Sequence, residues 1–552
     1  MEASNCRWII PIVLLCASVG AWGAPAAPAI RLNSLGFLPN QPKHASVSGT
    51  ATNFTLIKTG DGAVVFTGSV SGPRTNADTG EALFTADFSA FTNTGMFQLD
   101  VPGGGRSATF RIGGDIYREP FVTVTRAMYL WRCGTAVAST HDGKKYRQGV
   151  CHTNDAWLDF VGEKGVHRNS PGGWHDAGDY NKYVVNAGVT VGCMFRAWED
   201  FRPALQKVPL DLPERGGRLP EFLAEIKWEL DWLFTMQVPD GSVYHKVSTT
   251  DFGGFIMPEQ ETAKRDFTPW SSSATADFVA MLAAGARHFR EFDAVYADRC
   301  LAAARQSYAF LIAQPKNQPA DLTGFSTGPY QNHDADDRLW AAAEMWAATG
   351  ETNFLHDFET RARGWNQCFE VAWDWGNVRN LGLLTYLSSA REGRDAALVE
   401  SLRKSLLTTA DEIVKTRAAH GYARPLGERY SWGGNGTVAR QTLVLHGAFR
   451  LTQKPEYRDT TLDAVGYLFG RNPFGRSFVT GVGHQPPLHP HDRRSGADGI
   501  AEPWPGYLVG GPNPKAIDWH DVEEDYRTNE IAINWNGALI YALAMFLENP
   551  QK

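Results

Sequence analysis

From Tyr117 to the C-terminus, apolar residues return every three or four positions in one segment after another. Phe222, Leu223, Ile226, Leu230 and Leu233 are a clear instance. On an α-helix they share one face, and that face must be buried. Twelve such segments begin near Pro120, Lys182, Pro220, Ser272, Phe292, Asp336, Asn353, Leu381, Ala396, Thr437, Pro455 and Glu530. Convincing strands are scarce among them. An even dozen helices in one large domain suggests six helical hairpins closed into an (α/α)6 barrel, although an irregular helical array would give the same count. At 552 residues the chain has room for this domain and a second, smaller one.

Before Tyr117 the pattern changes. Short β-rich runs (Ile30–Leu32, Ala45–Val47, Phe54–Ile57, Ala63–Phe66, Met96–Val101 and Ala108–Ile112) are separated by Asn, Gly, Pro and Asp clusters. This spacing predicts a small all-β antiparallel sandwich over 28–114, followed by a mainly α domain over 117–552. The sandwich carries no ionisable constellation, so packing against the helices is its expected role. Residues 1–23 read as a signal peptide. Arg7 precedes the apolar run Trp8 to Val19, and Ala21-Trp22-Gly23 before Ala24 forms a small-x-small cleavage site. A secreted chain, extracellular or periplasmic, with no membrane anchor after processing is expected.

Net charge is −7, from 53 basic and 60 acidic residues, and no basic run occurs, which argues against a nucleic-acid partner. The 18 Trp, 17 Tyr and 30 Phe exceed what a core alone requires. Exposed aromatic platforms suit the apolar faces of sugar rings.

The densest chemistry is the run Gly172 to Tyr183. Asp176 and Asp179 sit three positions apart with Ala177 and Gly178 between them, so both carboxylates can address one water. A tight turn at Gly178 is expected to bring them together. A calcium loop or capping turn would look similar. Three connections, roughly 141–180, 238–271 and 470–529, are far longer than usual, as functional loops often are. The third ends in an acidic run, Asp518 to Asn536, within which Glu530 opens the last apolar helix. A half-buried carboxyl there would keep its proton near neutral pH, as a general acid needs. Upstream, His491 and Arg493 lie on a loop stiffened by proline; such a pair is also common in purely structural roles.

Three motifs, Asp-Ala-Gly-Asp-Tyr at 176–180, Pro-His-x-Arg at 490–493 and Tyr-x-x-Asn-Glu at 526–530, together resemble family-nine glycoside hydrolases, the cellulase family with an (α/α)6 catalytic barrel. Ile30 to Pro39 resembles the opening strand of the N-terminal immunoglobulin-like domain known there. The resemblance covers essentially the whole mature chain. It implies a monomeric endo-acting hydrolase that cleaves β-1,4-glucosidic bonds of a β-glucan or cello-oligosaccharide with inversion. Exo-acting cellodextrinase, β-glucosidase or glucosaminidase activity on the same fold is the alternative. A non-catalytic carbohydrate-binding protein is a third reading, which retention of all three carboxyls counts against.

By the same resemblance Asp179 is the general base and Asp176 the partner that helps hold the water. Glu530 is the general acid, and Asp521 the supporting member of the acid set. His491, Arg493, Trp535 and Trp432 match or neighbour sugar-binding positions, with core packing an equal reading for Trp432. The chain departs from the family at Gln485 and Asp492, both expected on the cleft-lining loop.

Once the signal is removed, Cys133, Cys151, Cys193, Cys300 and Cys368 remain, an odd number that fits a full disulfide framework poorly. Cys133, Cys151, His152 and His175 offer two thiolates and two imidazoles, a donor set for structural Zn2+, although their spacing is not that of a zinc finger. Some family members carry such a zinc with the same residue order. Ca2+ is a second candidate at Asp334-Ala335-Asp336-Asp337, where an acidic helix N-terminus explains the residues equally well.

Overall fold

The computed structural model describes residues 28–365 and 368–547; the expected signal, 1–23, lies outside them. Eight strands come first: β1 (Ile30–Leu32), β2 (His44–Ser48), β3 (Asn53–Lys58), β4 (Val64–Asn76), β5 (Glu81–Asp87), β6 (Gly95–Val101), β7 (Gly105–Arg106) and β8 (Phe110–Ile112). They pair antiparallel in the order β1-β2-β5-β4-β3-β6-β7, with β8 also on β6. Strand β4 joins both halves of the sandwich. Its residues up to Ser69 pair with β3 and those from Val70 with β5, the latter pairing shifting register between Ser71 and Arg74. Alternate residues such as Phe54, Leu56, Phe97 and Leu99 point inward to a separate core with Phe88 and Phe110. Strand β5, whose apolar residues are flanked by Glu81 and Asp87, is absent from the sequence reading.

Fourteen helices follow among the described residues. The first six are α1 (Arg118–Leu130), α2 (Val184–Leu205), α3 (Glu221–Met236), α4 (Ser272–Phe289), α5 (Ala294–Ala313) and α6 (Ala335–Thr349). Next come α7 (Thr352–Ala362), α8 (Arg379–Ser388), α9 (Ala396–Ala419), α10 (Gly434–Thr452) and α11 (Pro455–Leu468). Two short turns, α12 (Arg493–Ala497) and α13 (Tyr526–Asn529), precede α14 (Ile533–Ala544). Leaving out α12 and α13, each begins within three residues of its predicted start.

Helices α2, α4, α6, α8, α10 and α14 form the inner ring of the (α/α)6 barrel, and the other six long helices lie outside. Sequence explains the division. Nearly all of α4 is buried, and its run of Ala with Gly285 permits neighbours on every side. Helix α9 buries only a stripe: Leu398, Leu402, Leu406, Thr409, Ala410 and Ile413. The ring closes where α14 packs between α2 and α10, with Gly537 against Thr190. Side-chain caps fix several helix starts. Ser271 accepts from the Ala274 N–H, Asp293 from Tyr296 and Asp395 from Leu398.

The sandwich docks on the barrel through polar contacts. Arg31 Nη1 donates to Tyr422 Oη (2.8 Å), Ser46 Oγ to the Gly421 carbonyl (2.8 Å), and the Gly421 N–H to Asn76 Oδ1 (2.9 Å). Ser34 Oγ donates to the Phe469 carbonyl (2.6 Å) and accepts from the His484 N–H (2.9 Å), which pins the start of the third long connection. Five further short strands decorate these connections: the hairpin β9 (Val137–His141) with β10 (Lys144–Gln148), and a small sheet of β11 (Lys182–Tyr183), β12 (Lys246–Ser248) and β13 (Asp266–Phe267). No helix among the described residues is long and apolar enough to cross a membrane.

Candidate active site

Two segments separated by some 350 positions are stitched together at one end of the barrel. The Ile533 N–H donates to the Asp176 carbonyl (2.9 Å), and Ala177 bridges Ala532. The Arg493 N–H donates to the Gly178 carbonyl (3.1 Å), the His491 N–H to Asn529 (2.9 Å), and His491 bridges Glu530. These backbone bonds fix Asp176, Asp179, His491, Arg493 and Glu530 relative to one another before any side chain is considered.

Gly178 serves this junction differently from the expected tight turn. It is not among the residues with positive φ; instead, a Cβ there would overlap the His491 carbonyl. Close approach of two backbones is the reason for glycine. Gly178→Ala is therefore expected to lower kcat by about 100-fold, because a shift of about 1 Å at this junction moves the carboxyls. It should also destabilise the fold by about 1–3 kcal/mol through overpacking. Activity assays with a thermal melt check this; wild-type values in both would show that the junction yields.

The three carboxyls differ in their surroundings. Asp176 is buried, and both its oxygens are engaged: Oδ1 accepts from Asn186 Nδ2 (2.7 Å) and Oδ2 from Tyr330 Oη (2.7 Å). Asp179 accepts on Oδ2 from Asn181 Nδ2 (2.6 Å) and, more distantly, Tyr183 Oη (3.4 Å), while Oδ1 accepts no side-chain hydrogen bond. Burial raises the proton affinity of both, reinforced at Asp176 by the charge of Asp179 and opposed at Asp179 by Arg493. Glu530 keeps part of its surface open. Burial and then the charges of Asp179 and Asp176 hold its carboxyl well above the usual carboxylate range, against weaker pulls from Arg493 and the Trp432 indole.

Around these acids runs an aromatic rim. Phe252 and Phe255 are exposed, with the Arg493 guanidinium over both rings at 5.6 and 5.9 Å. Phe255 meets His491 edge-on (5.3 Å), His491 lies 6.0 Å from Tyr526, and Tyr526 lies 5.5 Å from Trp432. His491 Nδ1 donates to the Glu523 carbonyl (2.7 Å), and Arg493 Nε to that of Gly253 (3.0 Å). All three long connections contribute. Trp432 is 51 % exposed, which sets it on the rim rather than in the core.

A sequence profile for glycosyl hydrolase family 9 matches residues 117–543, and one for the cellulase N-terminal ig-like domain matches 25–106. The chain belongs to glycosyl hydrolase family 9. It is 54% identical to Endoglucanase D of Acetivibrio thermocellus over 527 residues, covering 95% of this chain and 84% of that protein. Among solved structures, a metagenome-derived family 9 endoglucanase superposes with a TM-score of 0.88 at 34% identity, covering 94% of this chain and 98% of that one. A Zn-binding triple mutant of a family 9 endoglucanase superposes with a TM-score of 0.86 at 34% identity, covering 93% and 100%.

Two expectations drawn from family 9 need correction. Trp535 is buried, its indole wedged against Gly433, Gly436 and Gly510, so it backs the Trp432 turn instead of offering a face to a sugar. Asp492 is buried too. It caps α12 and accepts from Arg494 Nε (3.2 Å) and Ser495 Oγ (2.7 Å), away from any cleft-lining position. Asp521, expected as a supporting acid, is held by hydrogen bonds on both oxygens. It accepts from the Leu488 and His489 N–H groups (3.0 and 2.9 Å), Arg476 Nη2 (2.7 Å) and Asn529 Nδ2 (3.3 Å), and so anchors the proline-rich loop. Gln485 is exposed, with φ of 45°.

The four expected metal ligands do meet. One donor atom each of Cys133, Cys151, His152 and His175 lies within 4.8 Å of all the others. The separations are 3.6 Å from Cys133 Sγ to His152 Nδ1, 3.7 Å from Cys151 Sγ to His175 Nε2, and 3.4 Å between the two ring nitrogens. Tetrahedral Zn2+ with ordinary bond lengths needs S···N and N···N edges of about 3.6 and 3.3 Å. The donor set therefore fits zinc. His152 Nε2 meets Glu261 Oε2 (3.1 Å), which turns Nδ1 toward the cluster. All five described cysteines are free and buried. The acids at 334–337 are occupied otherwise: Asp334 accepts from Arg338 Nε (2.6 Å), Asp336 from the Val378 N–H (2.7 Å), and Asp337 from Asn332 Nδ2 (3.1 Å). Asp334 is the N-cap of α6 without a side-chain cap hydrogen bond, and Asp336 and Asp337 lie in its first turn.

Proposed function

We propose that this family 9 hydrolase is an exported endo-β-1,4-glucanase that acts on cellulose-type glucans with inversion. The observation that carries the reading is the unequal state of three carboxyls held at one junction. Asp179 keeps one oxygen without a side-chain donor, and the Arg493 cation favours its charge, as a base that takes a proton from water requires. Asp176, with both oxygens engaged, orients that water. Glu530, protonated through burial and the neighbouring aspartates, delivers its proton to the departing glycosidic oxygen. An inverting pair needs room for the water between acid and base, with carboxyls about 6.5–9.5 Å apart. His491, Arg493, Trp432, Tyr526, Phe252 and Phe255 would line the glucan track.

Zinc held by Cys133, Cys151, His152 and His175 would be structural, because four protein ligands leave no open position. His175 precedes Asp176, so the metal site braces the aspartate loop. The 54% identity to Endoglucanase D favours the endo mode. Hydrolysis of a soluble mixed-linkage or carboxymethylated glucan is expected to cut viscosity well before reducing ends accumulate, with α-anomers formed first by NMR. Release of a single short product from the outset would instead indicate an exo enzyme, and β-anomers a retaining one.

A further inference from the structure

Tyr330, the donor to Asp176 Oδ2, has φ of 42°, a left-handed conformation that a bulky residue holds only when its surroundings enforce it. The enforcing groups come from β12 and the residue before it. Lys246 Nζ donates to Thr327 Oγ1 (2.8 Å), the Thr327 carbonyl (3.3 Å) and the Gly328 carbonyl (3.0 Å). His245 Nε2 donates to the next carbonyl, Pro329 (2.7 Å). The tautomer follows from the other nitrogen: Nδ1 accepts from Ser271 Oγ (2.8 Å), the hydroxyl that caps α4. Three consecutive carbonyls leading into Tyr330 are thus bound by one dipeptide.

Lys246 is unusual beyond this. It is fully buried, yet none of its hydrogen-bond partners is a carboxylate, and its remaining contacts include the Tyr183 and Phe325 rings at 5.3 and 5.1 Å. The charges of Asp179 and Asp176 favour its protonated form, but neither carboxylate hydrogen-bonds it. A buried ammonium with no directly bonded acid costs stability and would be replaced to advantage by an apolar chain if filling space were its task. All three of its donors are spent on the 327–330 turn.

We propose that Lys246, assisted by His245, is a positioning residue for hydrolysis: it holds the 327–330 turn so that the Tyr330 hydroxyl stays on Asp176. This rests on reading Asp176 and Asp179 as the water-handling pair. The residue just after this strand also serves Asp179, since the Thr249 N–H donates to Asn181 Oδ1 (3.0 Å), orienting the amide that donates to Asp179.

The test is a double-mutant cycle on a soluble β-1,4-glucan with Lys246→Met, Tyr330→Phe and the pair. Each single variant is expected to lose about 100-fold in kcat with KM within about twofold, as misplacement of a catalytic group does. The double variant should fall no further than the lower single, because the lysine acts through the tyrosine. Multiplied losses, or a kcat within twofold of wild type for Lys246→Met, would overturn the proposal. Should Lys246→Met not fold, Thr327→Val paired with Tyr330→Phe decides on the same criterion. Asp179→Asn in the same assay separates the two levels. Full activity there removes the hydrolase roles altogether, whereas an inactive Asp179→Asn with a multiplicative cycle rejects only the role of Lys246.

Discussion

Glu530→Gln is expected to abolish measurable turnover of a β-1,4-glucan, with a loss of about 10^4-fold, at the upper end of what a positioned general acid contributes. The amide of that variant cannot hand a proton to the departing sugar oxygen. The loss should shrink markedly on an aryl cellobioside whose phenol leaves without protonation. Asp179→Asn should lose as much on both substrates, because the attacking water needs its base whichever group departs. Equal losses for Glu530→Gln on the two substrates would assign the proton to another residue.

Stability provides the control. Glu530 has its folded-state pKa raised above the unfolded value, so its contribution is present below the unfolded pKa and disappears as pH rises through the folded pKa. Removing the ionisable group removes that penalty. Glu530→Gln should therefore melt no lower than wild type, and above it at alkaline pH. The same carboxyl is expected to set the alkaline limb of the activity profile and Asp179 the acidic limb, both displaced upward from ordinary carboxylates, as a pH series of kcat/KM would show.

The second large effect concerns the metal. Elemental analysis is expected to find one zinc per chain. Exhaustive chelation, or Cys133→Ser, should cost several kcal/mol of stability, less than the roughly 10–16 kcal/mol of zinc-finger peptides, because the barrel holds the four donors in place. In a domain this large each kcal/mol shifts the melting midpoint by only about 1 °C, so a drop of about 5 °C is the expected reading. Activity should fall with it, since His175 and Asp176 share one backbone segment. A metal-free protein of unchanged stability would refute the site.

The helices were legible because each buries a long face, and their periodicity survives without knowledge of any partner. Strand β5 was not, because two alanines dilute its β-formers and it is bounded by charges that pair elsewhere, as Glu81 does with Arg31. Asp176, Asp179 and Glu530 stood out because each lies within a contiguous motif. Tyr330, Lys246, Asn186, Phe252 and Phe255 did not, since they join the site from separate segments and carry no local signature. Trp535 and Asp492 show the opposite error. Position in a motif suggested exposure, while the glycines around the indole and Arg494 beside the carboxylate drew both inward. At Gly178 the residue type was informative but the reason was not: the demand came from a backbone more than 300 positions away.

The place of α14 between α2 and α10 has a consequence for biosynthesis. The hydrogen bond from Ile533 to Asp176 and the acid at 530 both depend on the last part of the barrel to leave the ribosome. A nascent or clipped chain that lacks this helix would therefore hold its aspartates without the contact that fixes the proposed proton donor opposite them. On the proposed roles, such a polypeptide would stay harmless to glucans until the ring has closed.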